Sequence, residues 1–317
     1  MDDQGKVYGV KTWRAWETSK PAYLGATKQF PREIEDMWTH TVHSFRQLFR
    51  VVAFLNVMNK NTTLLFRGQT QDLEPRPTLL RDTWAVPGSQ SRVDLTIDRD
   101  YYWAQLGPLS GLMRQLLAGE LPRHAPFDGF QQRDGMRLRI APWAVIQHYE
   151  LWPTPLIDLT SSLRVAATFA LGARGRNEGY VFVYDVADIV TDLMDLVPRP
   201  NREPLSEPIT CRLSAVCPPQ MDRPHLQEGF LIGNSQFTRK HLLDKANPYL
   251  ADRFVAKFHL VDEKKSGRSS FWNPDFPKHR RGSLLPRAAD DDFKGVLDSA
   301  ITHEIVEGRA AWRAVET

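Results

Sequence analysis

The order of helical and strand-like patterns along the chain constrains its fold most. Apolar residues between Ile34 and Met58 recur with a helical period, which predicts a long amphipathic helix. Further helices are predicted over 96–117 with an interruption near Gly107-Pro108, and over 141–151, 163–171 and 290–305. Strands are predicted over 63–69, 156–159, 180–186, 209–217 and 253–262. Because helices come first and strands mostly follow, the order predicts an α+β fold, with N-terminal helices packed on a mixed β-sheet core.

The predicted elements divide the 317 residues into three parts. Residues 1–30 are rich in tryptophan and irregular, which indicates an N-terminal extension. Residues 31–262 hold most of the predicted helices and strands and are expected to form one domain, and 263–317 a loop and a C-terminal helix. A net charge of +3 permits a polyanionic partner without indicating one.

Several classes of protein are disfavoured by what the sequence lacks. The start "MDDQGK" has no apolar core, and no run approaches the roughly 18 apolar residues of a membrane span. Cys211 and Cys217 make no disulfide framework, and their spacing is poor for zinc, so they are expected in the core. The glycine-rich phosphate-binding motifs of the common nucleotide folds are absent. We therefore expect a cytoplasmic protein with no membrane partner and no bound metal.

The segment "QHYELWPTPLIDLT", Gln147 to Thr160, places polar groups between apolar elements. Gln147, His148 and Tyr149 end a predicted helix, and Asp158 stands alone in a strand-like run. Two prolines lie between them, and proline restricts the backbone. We expect this rigid turn to deliver His148 and Tyr149 to one lip of a cleft and Asp158 to the other.

Three stretches together resemble the FRG domain family. They are "LLFRGQ" (64–69), "QHYELWPTPLIDLTSSLRVAATFA" (147–170) and "RPHLQEGFLI" (223–232), and the resemblance covers roughly Ile34 to Leu260. The Phe-Arg-Gly motif that names the family stands here as residues 66–68. Glu150 stands where the family usually has Gly, one extra residue lies near Trp152, Leu159 replaces the usual Trp, and Glu228 replaces the second Gln of the usual Gln-Gln-Gly.

The FRG family is itself remotely similar to ADP-ribosyltransferases. The resemblance implies an ADP-ribosyltransferase-like sheet and NAD as the substrate. It implies that ADP-ribose is transferred to a macromolecular acceptor, protein or nucleic acid, or that NAD is hydrolysed. A bacterial toxin or phage-defence effector is the implied setting.

The resemblance also implies roles for particular residues. Arg67 would hold the pyrophosphate bidentately, and Gly68 would let the backbone approach the ligand. Glu228 would stabilise the oxocarbenium-like state by its charge. His148 would bond to ribose, with Tyr149 stacking on a ring of NAD. The implied catalytic set is Glu228, Arg67 and His148; the implied NAD-binding set is Arg67, Gly68, Gln69, Gln147, His148, Tyr149, Asp158, Thr160 and Ser161.

Each of these residues also has a structural alternative. Arg67 could only bridge a buried acid such as Asp158, and His148 could only favour a helix dipole. Asp158 could instead serve turn or cap chemistry. Tyr149 could belong to the core, and Glu228 could be an exposed loop acid.

Two other function classes stay open beside the enzyme. One is a non-enzymatic nucleotide- or nucleic-acid-binding module that uses Arg67 and the basic stretch "KHRRG" (278–282). The other is a protein-interaction module whose apparent site is structural. Composition does not separate them.

Overall fold

A computed structural model of the chain describes residues 39–59, 62–85, 92–97, 99–119, 141–172, 177–186, 189–190, 209–233, 253–265, 268–286 and 291–298. The fold is mixed α+β, and the chain divides into two compact units that alternate along it. Unit 1 is Met1–Pro75, Leu159–Ile189 and Asn247–Leu284; unit 2 is Arg76–Asp158, Val190–Ala246 and Leu285–Thr317. The predicted segments 31–262 and 263–317 thus each contribute to both units. The predicted extension 1–30 lies outside the described residues.

The elements follow the chain in a mixed order. The strands are β1 (Thr39–Val42), β2 (Thr63–Gln69), β3 (Thr83–Ala85), β4 (Arg92–Asp94), β5 (Ile157–Thr160), β6 (Glu178–Val186), β7 (Ile189–Val190), β8 (Ile209–Arg212), β9 (Gly229–Gly233), β10 (Phe254–Val261), β11 (Lys264–Lys265) and β12 (Arg268–Ser269). The helices are α1 (Phe45–Met58), α2 (Arg99–Ala118), α3 (Ala141–His148), α4 (Leu163–Ala170), α5 (Leu213–Val216), α6 (Asp222–Leu226) and α7 (Arg281–Leu284). Residues 78–80 form a 3-10 turn and 292–298 are helical.

The sheet of unit 1 is mixed and has two unlike faces. Its strands lie in the order β1-β10-β6-β2-β5, with β1 parallel to β10 and the other pairs antiparallel. Phe66 lies opposite Val183, and both are buried in one core cluster with residues of α1 and α4. Because side chains alternate along a strand, Arg67 points to the other face.

Unit 2 packs helices around its own core. Buried residues of α2, α3 and 292–298 share one cluster, including Met113, Val145 and Phe293. β8 and β9 pair antiparallel, as do β3 and β4. No helix in the described part of the chain is long and apolar enough to cross a membrane.

The helix predicted over 34–58 is wrong at residues 39–44, and residues 34–38 lie outside the described part of the chain. Residues 39–42 form β1, which pairs with β10, and the helix begins only at Phe45. The sequence Thr-His-Thr-Val is rich in β-branched residues, which favour a strand. Ser44 then ends the strand segment as an N-cap, since its side chain accepts a hydrogen bond from the Gln47 amide.

Two other predicted elements also differ. The interruption predicted near Gly107-Pro108 is absent, and α2 runs through it with both residues exposed. The strand predicted over 209–217 ends at Arg212, and helix α5 follows. Leu213 and Val216 are three residues apart and both buried, which is helical rather than strand spacing. The strands predicted at 63–69, 180–186 and 253–262 are confirmed as β2, β6 and β10.

Candidate functional site

In unit 1, Arg67 is held on the sheet face that turns away from α1 and α4. Its Nε donates a hydrogen bond to Oε1 of Gln69 at 2.9 Å. The amide nitrogen of Gln69 in turn donates to the backbone oxygen of Leu73 at 2.7 Å. Gln69 therefore fixes the guanidinium, and the structure brings these two predicted residues together.

Tyr184 lies on the same face and was not predicted from the sequence. It stands opposite Leu65, two positions before Arg67, and its side chain is fully buried. Burial raises the pKa of Tyr184, the positive charge of Arg67 acts against that shift, and the charge of Glu74 adds to it. Within the described residues its hydroxyl has no hydrogen-bond partner. The alternation of "YVFVYDV" is the only sequence signal that could have placed Tyr184 on this face.

Gly68 faces the helices instead. A Cβ added there would lie 1.8 Å from the backbone oxygen of Ala166 in α4. A Cβ at Gly179 would lie 2.2 Å from the backbone oxygen of Ala170 in the same helix. Glycine at both positions is therefore required by close packing of the sheet on α4, and ligand approach is not needed to explain Gly68.

Thr160 and Ser161 lie immediately before helix α4 and its N-cap. Thr160 lies opposite Phe66 and is buried, and its hydroxyl accepts a hydrogen bond from the Ser162 amide at 2.9 Å. Ser162 is the N-cap, but its side chain makes no capping hydrogen bond. Ser161 is exposed. Thr160 therefore stabilises the turn that precedes α4, whereas Ser161 presents its side chain to solvent.

In unit 2, Gln147, His148 and Asp158 meet directly. Nε2 of Gln147 donates to Oδ2 of Asp158 at 2.7 Å, and Nε2 of His148 lies 3.4 Å from Oδ1 of Asp158. The Thr154 hydroxyl donates to Oε1 of Gln147. The predicted placement of His148 and Asp158 on opposite lips of a cleft is therefore wrong. The rigid turn brings them into contact within unit 2.

His148 is enclosed and its neutral form is favoured. Burial lowers the pKa of His148; the charge of Asp158 acts in the opposite direction, and that of Arg223 in the same direction. A Cβ at Gly229 would lie 3.3 Å from Cε1 of His148, so glycine lets β9 pack closely on the ring. A neutral imidazole does not stabilise a helix dipole by charge, which removes that alternative for His148.

Tyr149 belongs to the core of unit 2. Its hydroxyl donates to Oδ2 of Asp291 at 3.0 Å, and its ring lies 5.2 Å from that of Phe293. The guanidinium carbon of Arg223 lies 5.0 Å from the centre of the same ring, and Nη1 donates to the backbone oxygen of His148 at 3.2 Å. The ring and the hydroxyl of Tyr149 are thus both engaged within unit 2, which supports the core alternative over stacking on NAD.

Asp291 completes this cluster and was not predicted. Its carboxylate is fully buried and lies 4.0 Å from Nε of Arg223. Burial raises the pKa of Asp291, while hydrogen bonds from the Lys294 amide and Tyr149 act against that shift. Asp291 also caps the helical residues 292–298 through the Lys294 amide, but no local motif indicates its contact with Tyr149, which lies 142 residues away.

Glu150 and Glu228 share an unusual backbone conformation. Their φ angles are 56° and 47°, and they are the non-glycine residues with positive φ in the described part of the chain. Both side chains are exposed. Glu228 follows the C-cap of α6, and its amide donates to the backbone oxygen of His225 at 3.1 Å. Left-handed backbone costs an L-residue roughly 1–2 kcal/mol. Such strain concentrates at functional sites, so Glu150 and Glu228 are candidates for a functional role.

The basic stretch 278–282 is partly used within unit 1. Nζ of Lys278 donates to the backbone oxygen of Leu171 at 3.0 Å, at the C-terminus of α4. Burial lowers the pKa of Lys278. Arg164 donates to Nε2 of His279 at 2.8 Å. Lys278 therefore caps a helix, which weakens the case for a phosphate contact by this residue.

Cys211 and Cys217 are both buried and reduced, as predicted for core residues. Burial raises the pKa of Cys211 to about 12 and raises that of Cys217. Thiols in this state are poor nucleophiles at neutral pH. Neither is therefore a candidate for catalysis.

Comparison with known proteins identifies no relative, so the function is inferred from the contacts described above. The chain matches no protein-family model, no curated protein and no solved structure.

Proposed function

We propose that the chain is an NAD-binding enzyme similar to the FRG domain family and, remotely, to ADP-ribosyltransferases. It transfers ADP-ribose to a protein or nucleic-acid acceptor, or hydrolyses NAD, in the cytoplasm, as a toxin or phage-defence effector. The observation that carries the proposal is the arrangement around Arg67. A guanidinium held by Gln69 lies on the same sheet face as the buried Tyr184 hydroxyl, which has no partner within the described residues. Both groups are donors, and a pyrophosphate offers several anionic acceptors.

The proposed reaction breaks the bond between nicotinamide and ribose. The electron pair leaves with nicotinamide, and positive charge develops on the ribose in an oxocarbenium-like state. Water or an acceptor group then adds at the same carbon and loses a proton. A fixed carboxylate lowers the energy of the charged state, and Glu228 takes this role on the resemblance and on its strained backbone.

In the proposal His148 acts as a positioning residue and Asp158 as a ligand-binding residue. His148 is buried, and β9 packs on its ring at Gly229, so in the proposal it acts on the ligand through Asp158. The Asp158 side chain is 35% exposed, and Gln147 and His148 hold it from the buried side. Asp158 is therefore the member of this group that can meet a ligand hydroxyl.

NAD binding tests the proposal through Arg67. Arg67→Ala is expected to weaken NAD affinity, since a hydrogen bond to a charged group contributes about 1.5–3 kcal/mol. Arg46→Ala is the matched control, because Arg46 is an exposed arginine of unit 1 that pairs with Asp275. Calorimetry giving equal affinities for wild type and Arg67→Ala refutes the proposal, as does the absence of wild-type binding at millimolar NAD.

Nicotinamide release separates the enzyme from the binding module. We expect the pure protein to release nicotinamide from labelled NAD. We also expect only weak binding of RNA or DNA, because Lys278 is engaged with α4. A tight complex that weakens steeply with salt, and is lost when Arg280 and Arg281 are neutralised, would instead establish the nucleic-acid-binding alternative.

A further inference from the structure

An acidic segment lies next to Arg67 in sequence and reaches across its sheet. We name Thr70–Pro75, which follows β2, the acidic strap; it carries Asp72 and Glu74. The two carboxylate oxygens of Asp72 accept hydrogen bonds from Nζ of Lys257 at 3.0 and 3.1 Å. The strap is also held by the bond from Gln69 to the Leu73 backbone. Its conformation thus depends on side chains of the sheet itself.

Lys257 is a buried cation on the face that carries Arg67. Its side chain is 1% exposed. Phe182 lies opposite Arg67 on one side and opposite Lys257 on the other. Since neighbouring strands lie about 4.8 Å apart, the two backbones are roughly 10 Å apart with the Phe182 strand between them. This face therefore presents two long cationic side chains across a single aromatic residue.

The counter-ion of Lys257 is less firmly fixed than Lys257. A buried ammonium requires an anionic partner, because the loss of water is otherwise too costly. The Asp72 side chain that supplies this partner is 39% exposed, so it can exchange Lys257 for water. A carboxylate that offers two oxygens to one ammonium occupies the position that two phosphate oxygens would take.

The charges of the strap reach other donors on this face. The charge of Asp72 contributes to raising the pKa of Tyr180, after burial, and that of Glu74 does the same for Tyr184. Tyr180 and Tyr184 belong to the same strand as Phe182 and point to the same side. The acidic strap thus brings two carboxylates to the sheet face of Arg67, whose other polar side chains include several hydrogen-bond donors.

We propose that Lys257 is a second phosphate-binding cation, and that Asp72 occupies its ligand position until an anionic ligand replaces it. The identity of the ligand as a dinucleotide pyrophosphate rests on the proposed function. The exchange involves no covalent step. Ligand binding must displace Asp72, so the strap lowers the affinity of the site and turns outward when a phosphate binds Lys257.

The test compares inorganic pyrophosphate and NAD binding by calorimetry. Asp72→Asn keeps the side-chain shape and one acceptor for Lys257, and it is expected to tighten binding of both probes roughly tenfold by removing the charged competitor. Asp275→Asn is the matched control, because it also removes one exposed acid of unit 1 and pairs with a cation outside this face, Arg46. It is expected to leave both affinities within about twofold, as surface ion pairs contribute little.

Lys257→Met supplies the second arm. It removes the cation without leaving an unpaired charge buried, since Asp72 is partly exposed, so the fold is expected to persist. We expect pyrophosphate affinity to fall roughly tenfold and Asp72→Asn to bring no gain in the Lys257→Met background. Unchanged pyrophosphate affinity in Lys257→Met, or no gain in folded Asp72→Asn, overturns the inference.

The two proposals fail in different ways. If Asp72→Asn tightens pyrophosphate binding while wild type binds no NAD, the anion site stands and the proposed function is refuted. If Arg67→Ala weakens NAD binding while the Asp72 and Lys257 variants bind like wild type, the proposed function stands and the second cation is refuted.

Discussion

The backbone at Glu228 allows strain and charge to be separated by two substitutions. Glu228 has φ 47° at the end of α6, in the position where a helix commonly ends on glycine. Glu228→Gly removes both the carboxylate and the strain. Glu228→Gln removes only the charge, because glutamine has the same shape and the same backbone preference.

The expected stability change follows from this conformation. A non-glycine residue in left-handed backbone costs roughly 1–2 kcal/mol, and glycine relieves that cost. Glycine also adds freedom to the unfolded chain, which offsets about 0.4–1 kcal/mol. We therefore expect Glu228→Gly to raise the free energy of unfolding by about 0.5–1 kcal/mol. Glu228→Gln is expected to leave it within about 0.5 kcal/mol, because the side chain is exposed.

The activity should respond to the charge and not to the strain. If Glu228 stabilises the oxocarbenium-like state, both variants should release nicotinamide roughly 100-fold more slowly than wild type, with NAD affinity within a few-fold. Urea unfolding and a nicotinamide-release assay on the same preparations give the two readouts. Wild-type turnover by Glu228→Gln would show that Glu228 is not the catalytic acid. A Glu228→Gly protein less stable than Glu228→Gln would contradict the strain argument.

Three further predictions concern packing and pH. Gly68→Ala is expected to cost roughly 3 kcal/mol or more, measured by urea unfolding, because its Cβ would overlap a backbone oxygen of α4; a cost below 1 kcal/mol would contradict the packing. Tyr149→Phe is expected to cost about 1–3 kcal/mol by the same assay, because it leaves the Asp291 carboxylate short of a donor; an unchanged free energy would show that this bond contributes nothing. The folded pKa of His148 lies below its unfolded value of about 6.5, so its stability contribution is present above pH 6.5 and is lost as pH falls toward the folded pKa. Between pH 6.5 and 5, the melting temperature of wild type should therefore fall more than that of His148→Gln. Above pH 7.5, the two melting temperatures should change in parallel with pH.

Much of the fold could be predicted from the sequence because its strands are long and regular. β2, β6 and β10 combine β-branched and aromatic residues with clear bounds, and all three were predicted. β1 was missed because the helical spacing of Ile34, Trp38 and Phe45 extends across its four residues, of which Val42 is buried. Periodicity alone does not separate a short strand from the first turn of a helix.

The site was less predictable because its contacts cross long sequence separations. Gln147, His148 and Asp158 lie within twelve residues of one another. The sequence predicted that they belong to one site, but not that they contact one another directly. Tyr149 and Asp291 are 142 residues apart, and nothing local to either indicates the other. The two glutamates with positive φ were noticed only as departures from a family pattern, since a single sequence carries no direct record of φ.

The environment of Lys257 follows from the register of its strand in the sheet and not from the sequence pattern alone. The stretch "RFVAKFHLVD" predicts a half-buried strand, in which a lysine is expected on the exposed side. In the structure Lys257 is buried, because the sheet face that it shares with Phe182 is covered at this position, although Arg67 and Tyr180 on the same face remain partly exposed. A lysine in such a place is retained only with an anion beside it, and Asp72, the anion that supplies this charge, comes from a segment 185 residues away. Asp72 is the partly exposed partner and can therefore be replaced by another anion. Lys257 and Asp72 together thus define an anion site, which neither the sequence around Asp72 nor that around Lys257 indicates by itself.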